Sequence, residues 1–204
     1  VVVGVLVWML FMGQAWLPLN PDAIPNMRWD LALHTMVSFL TNTNQQHYSG
    51  QAQLSYLSQM VGIVGLQMVT PMMGLALVVA TLRAWFGGKE HNAHDTGEAD
   101  VGNYWADVTR ATVRFMLPLC LLWSVLLTSQ GVPSTLAAGP TVTPVDASAQ
   151  MTEQKIPWGP VAAMVAVKQL GTNGGGWYGP NSSVPLENPT PFSNLLETVG
   201  IILV

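Results

Sequence analysis

Long stretches of this chain contain no charged residue. No Asp, Glu, Lys or Arg occurs from Leu31 to Leu82, from Val1 to Pro21 or from Phe115 to Val145. A helix that crosses a bilayer needs about 20 mainly apolar residues, and each run is long enough to contain one. A soluble protein with an apolar core is the alternative, but its helices would carry a polar face, and residues 61–80 contain no charge. We therefore predict an all-α membrane protein.

The order of apolar and polar segments predicts long and short helices in alternation. Helices are expected at Val1–Leu17, Trp29–Leu40, Leu54–Trp85, Asp107–Ser129 and Pro157–Leu170, with another starting near Pro191. Trp29–Leu40 and Pro157–Leu170 are too short to span a bilayer. The chain begins without Met inside one apolar run and stops inside another, so we expect an internal piece of a longer protein.

Each short helix is followed by a polar, uncharged loop and then by a long helix. The first loop begins TNTNQQHYSG at Thr41 and the second begins GTNGGG at Gly171. The shift along the chain that places Leu40 on Leu170 also places Tyr48 on Tyr178. Irregular backbone is tolerated in a membrane only inside protein or beside a wet cavity. Two such segments therefore predict a pore.

The composition of these loops suits a monovalent cation. Rings of backbone carbonyls replace the hydration shell of potassium in a narrow filter, and glycine reaches the dihedrals that aim successive carbonyls at one axis. Threonine hydroxyls would add oxygens, and asparagine amides would tie the loops to their surroundings. A calcium site would require carboxylates. A merely flexible turn is the alternative, whereas a nucleotide loop is disfavoured because no Lys-Ser/Thr ending follows the glycines.

These motifs resemble those of a known family. WDLALHTMVSF, TNTNQQHYSG followed by LSYLSQM, KQLGTNGGG and ENPTP occur in this order. They are similar to the potassium-binding subunit of Kdp-type potassium-transporting ATPases, within the superfamily of potassium transporters. The resemblance implies four helix–pore loop–helix units around one filter, of which this chain would hold two.

The resemblance also implies which residues form the potassium filter. The filter strands are Thr41, Asn42, Thr43 and Asn44, and then Gly171, Thr172, Asn173, Gly174 and Gly175. Gln45 stands where the family usually has Trp, and the segment Trp177–Pro180 replaces its Phe-Phe-Asn-Ala. These departures put the packing around the filter in doubt more than the ion chemistry.

The implied protein is a multi-pass subunit of the bacterial inner membrane. It would receive external potassium and pass it into the membrane, and it would assemble with a P-type ATPase subunit, which uses ATP, and with small accessory membrane subunits. We expect no catalytic residue, no transition-metal site and no nucleic-acid partner in this chain. A potassium channel or symporter of the same superfamily, working without ATP, is the alternative. A membrane enzyme and a purely structural scaffold are more distant alternatives.

Three parts are predicted along the chain. Residues 1–85 hold the end of a membrane helix, the first pore helix and filter loop, and a long membrane helix; residues 86–104 form a cytoplasmic loop. Residues 105–204 hold a membrane helix, an external loop, the second pore helix and filter loop, and the start of another membrane helix. Four of the seven basic residues lie between Arg83 and Arg114, which predicts the cytoplasmic side.

Several polar residues in apolar surroundings have two interpretations. Lys168 either supports the filter, paired with Glu187, or extends to the external surface. Gln67 and Thr70 precede Pro71, and we expect them to satisfy carbonyls at a proline kink rather than to line a cavity. The histidines have no predicted part in ion binding. We interpret His34 and His47 as hydrogen-bonded packing residues, and His91 and His94 as part of a solvated loop.

Overall fold

The computed structural model describes residues 1–86, 101–146 and 151–204. The first part of the chain forms three helices. α1 is Val2–Gly13, continued by a 3₁₀ turn at Gln14–Trp16; α2 is Trp29–Leu40; α3 is Gly50–Gln53. The Gln14 side chain joins the turn after α1 to the loop before α2 and to α3, because its Nε2 donates to the carbonyl oxygens of Pro25 and Gln53, at 2.7 Å each. This buried amide fixes the path of the chain after α1.

Two long helices contain π-helical turns. A π segment at Ser58–Val64 runs directly into α4, Gly65–Phe86, and α5, Tyr104–Ala111, continues through a π segment at Thr112–Met116 into α6, Leu117–Ser129. The continuous helices Ser58–Phe86 and Tyr104–Ser129 each contain an 18-residue stretch of high mean hydropathy, 2.0 in the first and 1.7 in the second, and both are long and apolar enough to cross a membrane. These helices agree with the predicted all-α membrane protein, although the first starts at Ser58 rather than Leu54 and the second at Tyr104 rather than Asp107.

The segment after α6 contains a small sheet that the sequence does not predict. β1, Thr141–Val142, pairs with β2, Gln154–Lys155, in antiparallel register. Lys155 forms an ion pair with Asp22, so this sheet is fastened to the loop between α1 and α2.

The last two helices are α7, Val161–Leu170, and α8, Pro191–Leu203. Nine of the ten residues of α7 are buried. It packs against α6, α8, α4 and the π segment before α4, and it therefore lies at the centre of the fold. A helix enclosed in this way needs no polar face, which explains its mainly apolar sequence. At the start of α8, the side chain of Thr190 caps the helix by accepting a hydrogen bond from the Ser193 N–H at 2.9 Å.

Candidate functional site

Both short helices end where the sequence predicts, at Leu40 and Leu170. The loops that follow turn back in the same way, because two successive N–H groups donate to one carbonyl oxygen of the last helical turn. In the first loop Thr43 and Asn44 donate to Ser38, at 2.9 and 3.1 Å. At the matching positions of the second loop, Asn173 and Gly174 donate to Lys168, at 2.9 and 3.0 Å.

The backbone dihedrals of the two loops match as well. The φ angles of Asn42 and Asn44 are 60° and 59°, and those of Thr172 and Gly174 are 63° and 78°. Left-handed backbone costs a non-glycine residue about 1–2 kcal/mol. Three of these four positions are not glycine, so the surrounding structure stabilises a strained conformation in both loops.

This conformation uses the loop N–H groups and leaves the loop carbonyls free. Within the described ranges 1–86, 101–146 and 151–204, no hydrogen bond reaches the carbonyl oxygens of residues 41–44 or 172–175. Thr41, Thr43 and Thr172 are exposed. Each loop therefore offers a row of uncharged oxygens immediately after the carboxyl end of a helix, where the helix dipole favours a cation.

The two loops meet through their asparagines. Nδ2 of Asn173 donates to Oδ1 of Asn42 at 2.8 Å. The same oxygen lies 3.3 Å from donors on Asn44, Gln67 and Thr70. Nδ2 of Asn173 also lies 3.1 Å from Oε1 of Gln67. The expectation that asparagine amides tie the loops to their surroundings agrees with these contacts.

The prediction for Gln67 and Thr70 is wrong in its preferred form. Pro71 frees the carbonyl of the residue four positions earlier, which is Gln67. The Thr70 hydroxyl instead donates to the carbonyl of Leu66, at 3.0 Å, and both side chains contact Asn42. The alternative interpretation, that these side chains line a cavity, stays a prediction, because both are buried against Asn42.

Close packing explains two of the glycines in the second loop. A Cβ atom at Gly175 would lie 2.0 Å from Oγ of Ser182, and one at Gly176 would lie 2.5 Å from Nζ of Lys168. Gly176 also has a φ of 114°, which favours glycine in any case. A side chain at Gly175 requires the loop to move, because its Cβ would also lie 2.7 Å from the backbone nitrogen of Ser182, whereas at Gly176 the Lys168 and Gln46 side chains would have to shift.

Lys168 does not extend to the surface, because it is fully buried. Its Nζ donates to Oε1 of Gln46 at 3.1 Å and lies 5.3 Å from the centre of the Phe39 ring. None of the ion pairs among the described residues joins Lys168 to Glu187. The predicted direct pair is therefore wrong, since an amide oxygen takes the ammonium group instead.

Glu187 supports the second loop through backbone contacts. Its Oε1 accepts hydrogen bonds from the N–H groups of Gly176 and Tyr178, at 3.2 and 3.0 Å, and its Oε2 accepts from Ser182 at 2.9 Å. The side chain is fully buried. Three charge-assisted bonds hold the segment after the glycines in place.

The two departures from the family pattern differ in their surroundings. Gln45 is exposed, whereas Trp177 and Tyr178 are buried. The Tyr178 hydroxyl donates to the carbonyl of Pro157 at 2.8 Å, and the Trp177 ring packs edge-on against Tyr56. The larger aromatic groups are accommodated within the core beside the loop.

Among the residues that the structure describes, no group of three His, Cys, Asp or Glu side chains could hold a metal ion. His34 and His47 pack edge to face with their centroids 4.4 Å apart, but Nδ1 of His34 lacks a hydrogen-bond partner among the described residues. His91 and His94 lie outside the described residues.

Sequence reasoning missed two residues close to the loops. The first is Gln46, whose Nε2 lies 3.4 Å from the carbonyl oxygen of Gly176. Gly176 is also the residue that aligns with Gln46 when the two loops are superimposed in sequence. Glu197 is the only charged residue of α8, and it accepts a hydrogen bond from Gln169 at 2.6 Å. The constant sequence offset between the two loops would have identified Gln46. The position of Glu197, as a single carboxylate in an apolar helix, would have identified that residue.

Comparison with known proteins gives one consistent result. Residues 1–204 match the family described as potassium-transporting ATPase A subunit. The chain is 47% identical to the potassium-transporting ATPase potassium-binding subunit of Pseudomonas putida over 199 residues, covering 98% of this chain and 33% of that protein. The proteins of the same name from Pseudomonas aeruginosa and Salmonella paratyphi B are 46% and 43% identical, with 98% of this chain and 33% and 34% of those proteins covered. The chain thus spans about a third of the length of these relatives.

Proposed function

Because the chain belongs to the potassium-transporting ATPase A subunit family, we propose that it is part of a subunit that binds external potassium and passes it into the membrane. The subunit acts within an ATP-driven uptake complex in the bacterial inner membrane. A P-type ATPase subunit supplies the energy, and small accessory subunits complete the complex.

In this proposal the two loops are pore loops of repeated helix–pore loop–helix units, and they supply half of a potassium filter. Its oxygens come from Thr41, Asn42, Thr43 and Asn44 and from Gly171, Thr172, Asn173, Gly174 and Gly175. One observation carries the assignment: the loop N–H groups bond back to the helices, while carbonyls 41–44 and 172–175 accept no hydrogen bond from described residues.

The chemistry of this arrangement suits transport. Carbonyl oxygens replace the water that potassium sheds, and the negative ends of α2 and α7 lower the energy of the cation between them. No carboxylate belongs to either row, so the ion is not held too tightly to leave. Lys168 and Glu187 support the filter indirectly. Lys168 holds the Gln46 side chain, and Glu187 holds the backbone that follows Gly175.

The proposed orientation places the loops toward the outside. Arg83 forms an ion pair with Asp107 at the far end of α4 from Gln67, roughly 24 Å along the helix at 1.5 Å per residue. Basic residues favour the cytoplasmic side, which supports external entry of the ion at the loops.

The test is potassium uptake by the full-length protein with Gly174→Val. A β-branched residue cannot adopt the φ of 78° without strain, so uptake and selectivity over sodium are expected to fall by tenfold or more. Gly74→Val is the matched control, since a Cβ at Gly74 meets nothing within 4 Å. Unchanged uptake and selectivity in the Gly174 variant would remove the filter assignment. Uptake that persists without ATP and the ATPase subunit would favour the channel or symporter.

A further inference from the structure

Two arginines lie on one exposed face of the continuous helix Tyr104–Ser129, which is long and apolar enough to cross a membrane. Arg110 and Arg114 are four residues apart, so their side chains lie one above the other on the helix surface. The side chain of Arg110 is 65% exposed, and Arg114 is exposed between the apolar residues Val113 and Phe115. A charged side chain in such apolar surroundings is costly unless it is paired.

The ion pairs among the described residues leave Arg114 without a counter-charge. Asp107 forms a close ion pair with Arg83, and its Oδ1 lies 3.9 Å from Nη1 of Arg110. None of the ion pairs in the described part of the chain includes Arg114. One carboxylate is therefore shared by two other arginines, and the guanidinium group of Arg114 is open to a further anion.

The position of Arg114 along the helix brings its charge close to the membrane surface. Trp105 and Trp85 are 67% and 74% exposed, as expected for aromatic rings at a membrane interface. Arg114 is nine residues beyond Trp105, roughly 13 Å along the helix at 1.5 Å per residue. Helical side chains lean toward the helix N-terminus, so a long arginine extends its charge back toward the lipid headgroups.

The same face continues into the membrane as an apolar stripe. Leu117, Leu121 and Val125 follow Arg114 at helical spacing and are 40%, 61% and 67% exposed. Val125 lies roughly 16 Å beyond Arg114 at 1.5 Å per residue. This length is about half of the ~30 Å thickness of the hydrocarbon core, which is the depth of one leaflet. The face thus has two cationic groups at its surface end and room for one acyl chain below them.

We propose that this face binds an anionic phospholipid, whose phosphate lies against Arg110 and Arg114 and whose acyl chain lies along the apolar stripe. Arginine binds phosphate through paired, charge-assisted hydrogen bonds. A phosphate fits better than a carboxylate from another segment, because its several oxygens can serve two guanidinium groups. Basic residues on the cytoplasmic side attract anionic lipids, so the inference rests on the proposed function for the side of the membrane.

The test is photo-labelling of the full-length protein in phosphatidylcholine vesicles that contain a small fraction of phosphatidylglycerol with a photoreactive acyl chain. Mass spectrometry of the peptides measures the label on residues 117–125. We expect Arg114→Gln to reduce this label roughly fivefold, and Arg114→Gln combined with Arg110→Gln to reduce it about thirtyfold. Arg28→Gln is the matched control, since the Arg28 side chain is 83% exposed and lies in the loop before α2, and the label should be unchanged.

A second probe, phosphatidylcholine with the same photoreactive chain, carries no net charge and should label residues 117–125 of the parent protein about fivefold less. Equal labelling by the two lipids would overturn the proposal, as would unchanged label in the double variant. Absence of label on residues 117–125 would show that another protein segment covers the helix, and would overturn it too.

If the arginine variants do not fold, the comparison of the two lipids on the parent protein still decides. Neither readout requires potassium or transport, so failure of this proposal is distinguishable from failure of the proposed function.

Discussion

The side-chain amide of Asn173 donates to Oδ1 of Asn42 across 2.8 Å, and this bond joins two loops that lie far apart in the sequence. The same oxygen is approached by donors on Gln67 and Thr70 of α4. The asparagine pair therefore holds the two loops against each other.

The asparagine pair is expected to be coupled. Asn42→Ala and Asn173→Ala should each weaken potassium binding by the full-length protein about tenfold, because the spacing of the carbonyls is lost. The double variant should bind little worse than either single one, with a coupling energy of about 0.5–3 kcal/mol. Potassium titration measures all three. Additive losses would show that the contact does not set the filter.

Removal of the buried ammonium group should separate affinity from stability. Lys168→Met keeps the apolar stem but removes the charge and the bond to Gln46. We expect weaker potassium binding, because Gln46 then loses the contact that positions it against Gly176. The free energy of unfolding should be unchanged or greater, since a buried charge without a direct ion pair is costly.

The control for Lys168→Met is the double variant with Gln46→Ala, which should bind potassium no worse than Gln46→Ala alone. Unaltered affinity in Lys168→Met would leave the residue without a role at the filter.

Glu187→Gln is expected to be destabilising despite its similar shape. The carboxylate accepts three backbone N–H bonds with its two oxygens. An amide offers one oxygen and turns an NH₂ group toward at least one N–H donor. Loss of such a bond costs roughly 1–3 kcal/mol, and thermal unfolding of the full-length protein measures it. The exposed Glu153→Gln should leave the Tm unchanged, and an equal response of both variants would contradict the role of Glu187.

Loss of the ion pair at the far end of α4 should have little effect on potassium affinity. Asp107 pairs with Arg83, and Nη1 of Arg110 lies 3.9 Å from Oδ1 of Asp107. Partly exposed pairs contribute about 0–1 kcal/mol, so Asp107→Asn is expected to lower the Tm only slightly. Potassium affinity should not change, because the loops lie roughly 24 Å away along the helix. If Asp107→Asn weakens potassium binding as much as Asn173→Ala does, the ion pair is not independent of the loops.

The short helices were predictable because their limits depend on local chemistry. Trp29–Leu40 is the predicted helix, and Leu170 ends the second one as predicted. In both cases an apolar run gives way to polar residues that accept left-handed backbone. Asparagine tolerates that conformation better than most residues, and glycine adopts it without strain.

The contacts of Lys168 and Glu187 were not predictable in the same way. Opposite charges on either side of one loop suggest a pair, yet Gln46 binds the ammonium and backbone N–H groups bind the carboxylate. The β1–β2 pairing was missed for a related reason. Strands of two residues have no periodicity to detect, and their pairing depends on the path of the chain between them.

The sequence alone determined the membrane setting, the two short helices and the two uncharged loops, because these depend on residue type within a local window. Only the tertiary structure decided which polar side chains bind one another. Asn173 donates to Asn42, and Lys168 donates to Gln46. One oxygen of Glu197 lies buried without a donor from the described residues. The physical reason is that hydrogen bonds between distant segments depend on distances of a few ångströms, which composition and spacing do not encode.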